Sequence, residues 1–421
     1  MAGSAVGRVL RDRTAGRYLA GVVVSGFGTS AMWLTAGIWV KSLTGSDSLA
    51  ALTVFAMWAP VLVGAALGAV ADRLPEKPLL VRVNVAMAGL LITLLLVDSA
   101  GRIWLVFVIL VLYGVSGVLV DAAEATLVAR SVDARLLGDP NGLRMSANEG
   151  MKLLAPLAGA GLYARFGGGT VAVLDAATFA LAALVFARLP VRERVREQVG
   201  IRPRKGSWRE ELSAGARQLR KSSTLWPLVS AGSVTMLLAG LNGAATYAYV
   251  DDVLGRSPAY AGLLYAVQGA GSVAVGLLAG TLLRRLGERT FVAAGTALFA
   301  AAVAARALPY EVVGPVTAAA IGFGLPCVLI TAMTAVRRET PDAVLGRTAA
   351  TANSLMMAPN AVALALGAGL VAVLDTRVLL SLTGAAGLFA AAALAPGRRG
   401  PDRRPRRNRG RPGGARTGGG G

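Results

Sequence analysis

Apolar runs of about 20 residues recur along the whole chain, each long enough to cross the hydrocarbon core of a bilayer as a helix. They stand near 17–41, 48–71, 79–98, 102–129, 142–165, 169–188, 225–250, 258–283, 290–307, 311–335, 346–373 and 377–396. Lipid offers no partner to a backbone N–H or C=O. A spanning segment must therefore satisfy these groups within a helix or a closed barrel. Barrel strands would alternate apolar and polar residues with period two, and these runs do not. The expectation is an all-α membrane protein with about twelve transmembrane helices. Charged residues are only 16% of the chain, against about a quarter in a soluble domain, and the mean hydropathy is +0.60.

A short charged pattern occurs twice and divides the runs into two sets. Gly68 to Lys77 reads Gly-Ala-Val-Ala-Asp-Arg-Leu-Pro-Glu-Lys, and Gly280 to Arg289 reads Gly-Thr-Leu-Leu-Arg-Arg-Leu-Gly-Glu-Arg. Each copy has Gly at the membrane exit, charge at its fifth and sixth positions, Leu at the seventh, then an acid and a base. The copies lie about half a chain apart, which predicts two pseudo-symmetric six-helix halves, 17–188 and 225–396. Around them stand an N-terminal segment 1–16, a central loop 189–224 and a tail 397–421. Two similar halves, each with a charged hinge, point to a transporter.

The formal charge of +20 suggests a nucleic-acid binder until its distribution is considered. With the N-terminus cytoplasmic, six of the 43 Lys and Arg fall on the outer side: Lys41, Arg102, Arg165, Arg256, Arg306 and Arg377. Lys152 lies within a span, and the rest are cytoplasmic, as the positive-inside rule requires of short loops. The expected location is the cytoplasmic (inner) membrane, with both termini inside and no nucleic-acid partner. The run after Arg17 is long enough to span and shows no small-residue cleavage site, so no cleavable signal peptide is expected.

Several chemistries are excluded. The chain has no His, which removes histidine bases and His-rich metal sites, and its one cysteine, Cys327, lies in a span, so no disulfide framework exists. No Gly-x-x-x-x-Gly-Lys-Ser/Thr stretch is present, so ATP hydrolysis through a P-loop is not expected. Asp251-Asp252 is the one adjacent aspartate pair, and it lacks the further acids that a Mg²⁺-dependent membrane enzyme would need. No cofactor is expected.

In the central loop, Ser207-Trp208-Arg209-Glu210 has the spacing of a capping box. The helix it opens could place Trp208, Leu212 and Leu219 on one face as an amphipathic tether on the inner leaflet, or serve as a solvated spacer. The Arg- and Gly-rich tail after Pro396 cannot bury a core and is expected to be disordered. Its arginines either fix topology or meet RNA or anionic headgroups.

These residues carry a resemblance to the major facilitator superfamily, and within it to the drug-exporter branch of the macrolide-efflux type. Gly68, Ala71, Asp72, Arg73 and Lys77 match that superfamily's loop signature between helices two and three, Gly-x-Leu-Ala-Asp-Arg-x-Gly-Arg-Lys, while Pro75 and Glu76 depart from it. Leu137-Gly138-Asp139-Pro140-Asn141-Gly142-Leu143-Arg144 resembles the branch's entry into helix five. The resemblance implies a conformational latch built from Gly68, Asp72, Arg73 and Lys77. Asp72 would meet the positive N-terminus of helix eleven near Gly346-Arg347. In the second copy Arg284 and Arg285 take the corresponding place, so the two hinges are not equivalent. Ala155, Pro156 and Gly159 fall in a stretch, Leu154 to Gly161, that resembles the antiporter signature Gly-Pro-x-x-Gly-Gly. Small residues and Pro156 let that helix pack closely or bend, and Ala358-Pro359 stands in the counterpart helix. The signature goes with exporters.

Ionisable residues inside a bilayer are costly and point to function. Asp121 and Glu124 share one face of the fourth span, and Glu149 and Lys152 one face of the fifth. If these faces meet, three acids share one base, and Glu124, then Asp121, is the expected proton carrier with Lys152 as partner. The alternative is a static network pinning the two helices. Tyr113 stands where many members of the superfamily have an Arg in helix four. Asp175 in the sixth span either lines a cavity or hydrogen-bonds a neighbouring helix. Trp33, Asn242, Tyr247, Tyr249, Gln268, Asn353 and Asn360 are candidate cavity residues. No Arg is evident in the central helices for an anion. The expectation is a monomeric exporter of small lipophilic compounds by proton antiport. The alternatives are an importer of a small metabolite, a lipid flippase, or a sensor that does not transport.

Overall fold

The computed structural model describes residues 13–71, 73–131, 151, 155–188 and 208–394, and among them every regular element is helical. The first half begins with α1 (Arg13–Thr44). The second crossing is broken into α2 (Asp47–Trp58), a 3₁₀ turn (Ala59–Val63) and α3 (Gly64–Ala71). There follow α4 (Glu76–Thr93), α5 (Ile103–Ser131), α6 (155–166) and α7 (Gly168–Ala187). Between the halves lies α8 (Trp208–Lys221). The second half holds α9 (Leu225–Ala244), continued by Thr246–Ala248 and a π-turn at Tyr249–Val253. It is completed by α10 (Tyr260–Leu286), α11 (Glu288–Ala305), α12 (Val313–Glu339), α13 (Asp342–Val373) and α14 (Thr376–Leu394).

Nine helices among the described residues are long and apolar enough to cross a membrane. With α1, the broken second crossing and α6, their order fits the twelve expected spans. Large apolar side chains stand open on the bundle's flanks, among them Leu277 (81% exposed) and Phe389 (78%), as suits a surface bathed in hydrocarbon. The break in the second crossing has a local cause. Pro60 has no N–H to give to the helix ladder, and the chain tightens to 3₁₀ around it. Gly114 of α5 packs onto the break, where a Cβ would collide with the Met57 carbonyl oxygen and Pro60.

Helices in lipid gain little from apolar contact alone and pack through small residues and interhelical hydrogen bonds. The α10–α12 pair shows both. Gly271 lies against the Ala319 carbonyl and Gly322 against the Gln268 carbonyl, and the Ser272 hydroxyl donates to the Gly322 carbonyl at 3.0 Å. In the α9–α13 pair, a Cβ on Gly240 would come within 2.5 Å of the Asn360 carbonyl, and Ser233 donates to the Leu355 carbonyl at 2.9 Å.

The two halves meet at one end. One buried cluster joins Leu34, Ile38 and Ala160 to Tyr247, Ala261 and Leu264, and another joins Ala51 and Val54 to Ala244, Leu364 and Ala368. At the opposite end the clusters stay within one half: Ala71, Leu80 and Phe186 in the first, Leu219, Val336 and Ala352 in the second. Leu219 is fully buried there, so α8 docks on the second half instead of turning this residue to the membrane. The side chains of Trp208 and Leu212, the tail, and Leu137 to Arg144 lie outside the described residues.

Gly322→Ala should destabilise the detergent-solubilised protein by the ~1–3 kcal/mol of an overpacked contact, read as a lower thermal midpoint. Gly276→Ala, on the same helix pair but facing open space, should leave it unchanged.

Candidate functional site

Asp175 lies in the middle of α7 with no exposed surface, among Val171, Ala172 and Phe179. Its Oδ2 is 2.9 Å from the Tyr113 hydroxyl on α5, which is 3.0 Å from Thr29 Oγ1 on α1. Its Oδ1 is 3.0 Å from Thr178 Oγ1, which also lies 2.8 Å from the Asp175 carbonyl. Among the described residues no cation pairs with this carboxyl. Of the two roles expected for Asp175, hydrogen-bonding to a neighbouring helix is the one seen in this conformation. The approach needs Gly28, because a Cβ at that position of α1 would collide with both Asp175 Oδ1 and Thr178 Oγ1.

The proton count matters. Tyr113 has one hydroxyl hydrogen, so the chain runs Thr29 to Tyr113 to Asp175 when the carboxylate is charged. When it is protonated, Oδ1–H can donate to Thr178, whose own hydrogen goes to the Asp175 carbonyl. The same set of partners serves both forms, and only hydrogens move.

Polar and aromatic contacts join the halves at the Lys41 end, beside the apolar clusters there. The Tyr247 hydroxyl donates to the Leu34 carbonyl at 3.0 Å, tucked against Gly37. The rings of Trp33 and Tyr265 meet edge to face, with centroids 4.8 Å apart. Lys41 Nζ, in the last turn of α1, pairs with Asp251 Oδ2 on the π-turn at 2.6 Å. The small residues of α6 form the adjoining wall: Gly159 packs on Ala31 of α1, and Gly262 of α10 packs on Ala160 and the Pro156 carbonyl.

Arg306 was expected as an outer-loop charge, but only 1% of its surface is exposed. It sits at the C-cap of α11, where the last carbonyls favour a cation. Nη1 donates to Asn242 Oδ1 at 2.9 Å, Nε points to Thr317 Oγ1 at 3.4 Å, and the guanidinium lies 5.0 Å from the Tyr249 ring centre. No carboxylate pairs with it among the described residues. Asn242, Tyr247 and Tyr249, expected to face a cavity, are thus buried in packing contacts. Trp33, Gln268 and Asn360 are partly exposed, and Asn353 is exposed.

On α5, Glu124 is 6% exposed and Asp121 is exposed, and both interact with other groups. Glu149 and Lys152, with which they were expected to cluster, lie outside the described residues, as does Asp72. The rest of the first hinge is described. Gly68 faces open space, Arg73 is exposed, and Lys77 is partly buried and engaged. In the second hinge Arg284 reaches Thr281 at 3.3 Å, Arg285 is exposed, and Glu288 pairs with Arg338 at 2.6 Å within the same half. The turn that Pro75 makes with φ −68° before α4 is made before α11 by Gly287 with φ 76°, a conformation that favours glycine.

Two helical halves in contact at one end, with a buried carboxyl in one and a buried guanidinium in the other, have the build of a membrane transporter. The Major Facilitator Superfamily model matches residues 18–250 and again 228–418. The chain belongs to that superfamily. No curated protein matches it. Solved structures share the fold at low identity. A nucleoside transporter, NupG, has TM-score 0.67 at 15% identity, covering 90% of this chain and 97% of that one. A bacterial homologue of the iron transporter ferroportin, in an inward-facing state, has TM-score 0.67 at 14% identity, with the same coverage. A D-xylose-proton symporter has TM-score 0.64 at 16% identity, covering 90% and 96%.

Asn242→Ala should cost about 1–3 kcal/mol, because it strips a buried guanidinium of its acceptor. Asn353→Ala, on an exposed position, should stay within about 0.5 kcal/mol. Thermal unfolding in detergent distinguishes the two.

Proposed function

We propose that this chain is a secondary transporter of the cytoplasmic membrane that exports small lipophilic compounds, of antibiotic or natural-product type, by proton antiport. The observation that carries the reading is Asp175: a fully buried carboxyl whose partners among the described residues are hydroxyls, in a network that accommodates both of its protonation states. Such a group can exchange a proton without a counter-ion having to move. Asp175 is thereby favoured over Glu124 and Asp121 as the coupling acid. The sequence resemblances at 68–77, 137–144 and 154–161 support the drug-exporter branch of the macrolide-efflux type.

With both termini cytoplasmic, the Lys41 end is the outer side, and halves joined there correspond to an inward-facing state. Substrate would enter from the cytoplasm or inner leaflet, between the halves at the Arg73 end. The inner-end hinges would then act as the latch of the opposite state, in which Asp72 approaches the start of α13. The mostly apolar candidate wall, with Trp33, Gln268 and Asn353 as its polar points, suits a lipophilic solute better than a sugar or phosphate. The protein works as a monomer, with solute, protons and bilayer as its partners, and without a cofactor.

The test is transport by purified protein in liposomes carrying a pH gradient and an internal pH dye, challenged with lipophilic antibiotics. Substrate-dependent proton flux is expected for wild type and Glu124→Gln, and is abolished in the isosteric Asp175→Asn. Loss in Glu124→Gln alone returns coupling to the fourth span. Uptake of a nutrient without any antibiotic-driven flux replaces export by import.

A further inference from the structure

The ammonium of Lys41 has three hydrogens, and three acceptors surround it. Two belong to its own half: Asp47 Oδ2 at 2.7 Å and the Gly45 carbonyl at 3.1 Å. The third, Asp251 Oδ2 at 2.6 Å, comes from the other half. Gly45 adopts φ 70°, which turns the chain between α1 and α2 back around the ammonium, and Ser46 caps α2 so that Asp47 falls in its first turn. The burial is uneven. The side chains of Lys41 and Asp47 are 8% and 16% exposed, whereas that of Asp251 is 49% exposed. The neighbouring Asp252 is engaged within its own half, accepting from Thr376 at 2.8 Å.

From this asymmetry we infer that Asp47 is a positioning residue, which holds Lys41 in place while the halves part so that Asp251 alone is released. Asp251 is half in water already, so its carboxylate loses little when the contact breaks. Lys41 keeps two acceptors and is never left as an uncompensated buried charge, the costly outcome of breaking a buried pair. Asp251 therefore favours the joined state, and Asp47 favours parting. The two acids, on the same ammonium, act in opposite directions. A merely structural pair would not do so.

The inference rests on the alternating-access reading above, and the test separates the two. Spin labels at Ser99 and Tyr310, each in a loop of one half at the Lys41 end, report separation there. Labels at Arg73 and Arg289 report the other end, and both pairs are placed in a Cys327→Ala background. Distances are measured by pulsed electron resonance in lipid nanodiscs. Asp251→Asn should raise the ratio of parted to joined populations at the Lys41 end about fivefold, as expected for one partly exposed ion pair. Asp47→Asn should lower it by a similar factor. In both variants the Arg73–Arg289 distance should change in the opposite sense. Shifts of the same sign in the two variants, or none in either, overturn the role of Asp47 while leaving alternating access intact. Failure of the two label pairs to exchange in the wild type overturns both readings. If Asp47→Asn does not fold, a cycle between Lys41→Met and Asp251→Asn still decides the Asp251 half. Asp251→Asn must lose its effect once Lys41 is gone, and a persisting effect overturns the pairing.

Discussion

A membrane core gives no hydrogen bonds back, and that one constraint orders this protein. It forces the backbone into helices, and it also governs the polar side chains within them. Most hydroxyls are satisfied on their own helix: Thr35 on the Ala31 carbonyl, Thr235 on Ala231, Thr331 on Cys327 and Thr383 on Leu379, each at 2.8 Å or less. Such residues are polar in sequence and silent in the fold. Others reach across: among the described residues Ser233 and Ser272 bond a carbonyl of a neighbouring helix, and the more demanding Asp175, Arg306 and Lys41 reach other helices through their side-chain partners. Each draws partners from other helices, and so each fixes how those helices sit.

The spans were legible because hydropathy is one-dimensional: a run of apolar residues long enough to cross is a helix whatever surrounds it. The break in the second crossing was not read from the run 48–71, although its cause, Pro60, is local. Partnership was not legible. Asp175 stood out as a lone acid, but its contact with Tyr113 spans 62 residues and depends on how α5 and α7 are rotated. Lys41 and Arg306 stand at the outer ends of the runs 17–41 and 290–307 and were therefore counted with the outer-side charges. A long aliphatic stem lets a cation at a helix end turn back into the bundle, as both do here. Tyr247 and Tyr249, like Asn242, are polar residues whose burial depends on which helices pack against them, and both tyrosines lie beyond Ala244, where the helix leaves regular α geometry and widens into a π-turn.

The distribution of these charges bears on how such a molecule can move. The buried acid and the buried guanidinium are each satisfied inside their own half, by hydroxyls in one case and by an amide, a hydroxyl and a ring in the other. Neither needs the other half to compensate it. The ion pair that the described residues place between the halves lies at the rim, where one partner already touches water. The rest of the contact described there is apolar clusters and small residues, with an aromatic edge and a hydroxyl on a backbone carbonyl. Parting the halves therefore strands neither Asp175 nor Arg306, whereas a buried acid–base pair across the interface would cost several kcal/mol each time it broke. Two self-sufficient halves with a solvated clasp between them give an interface that can open and close at low cost, which is the physical requirement for any solute to pass.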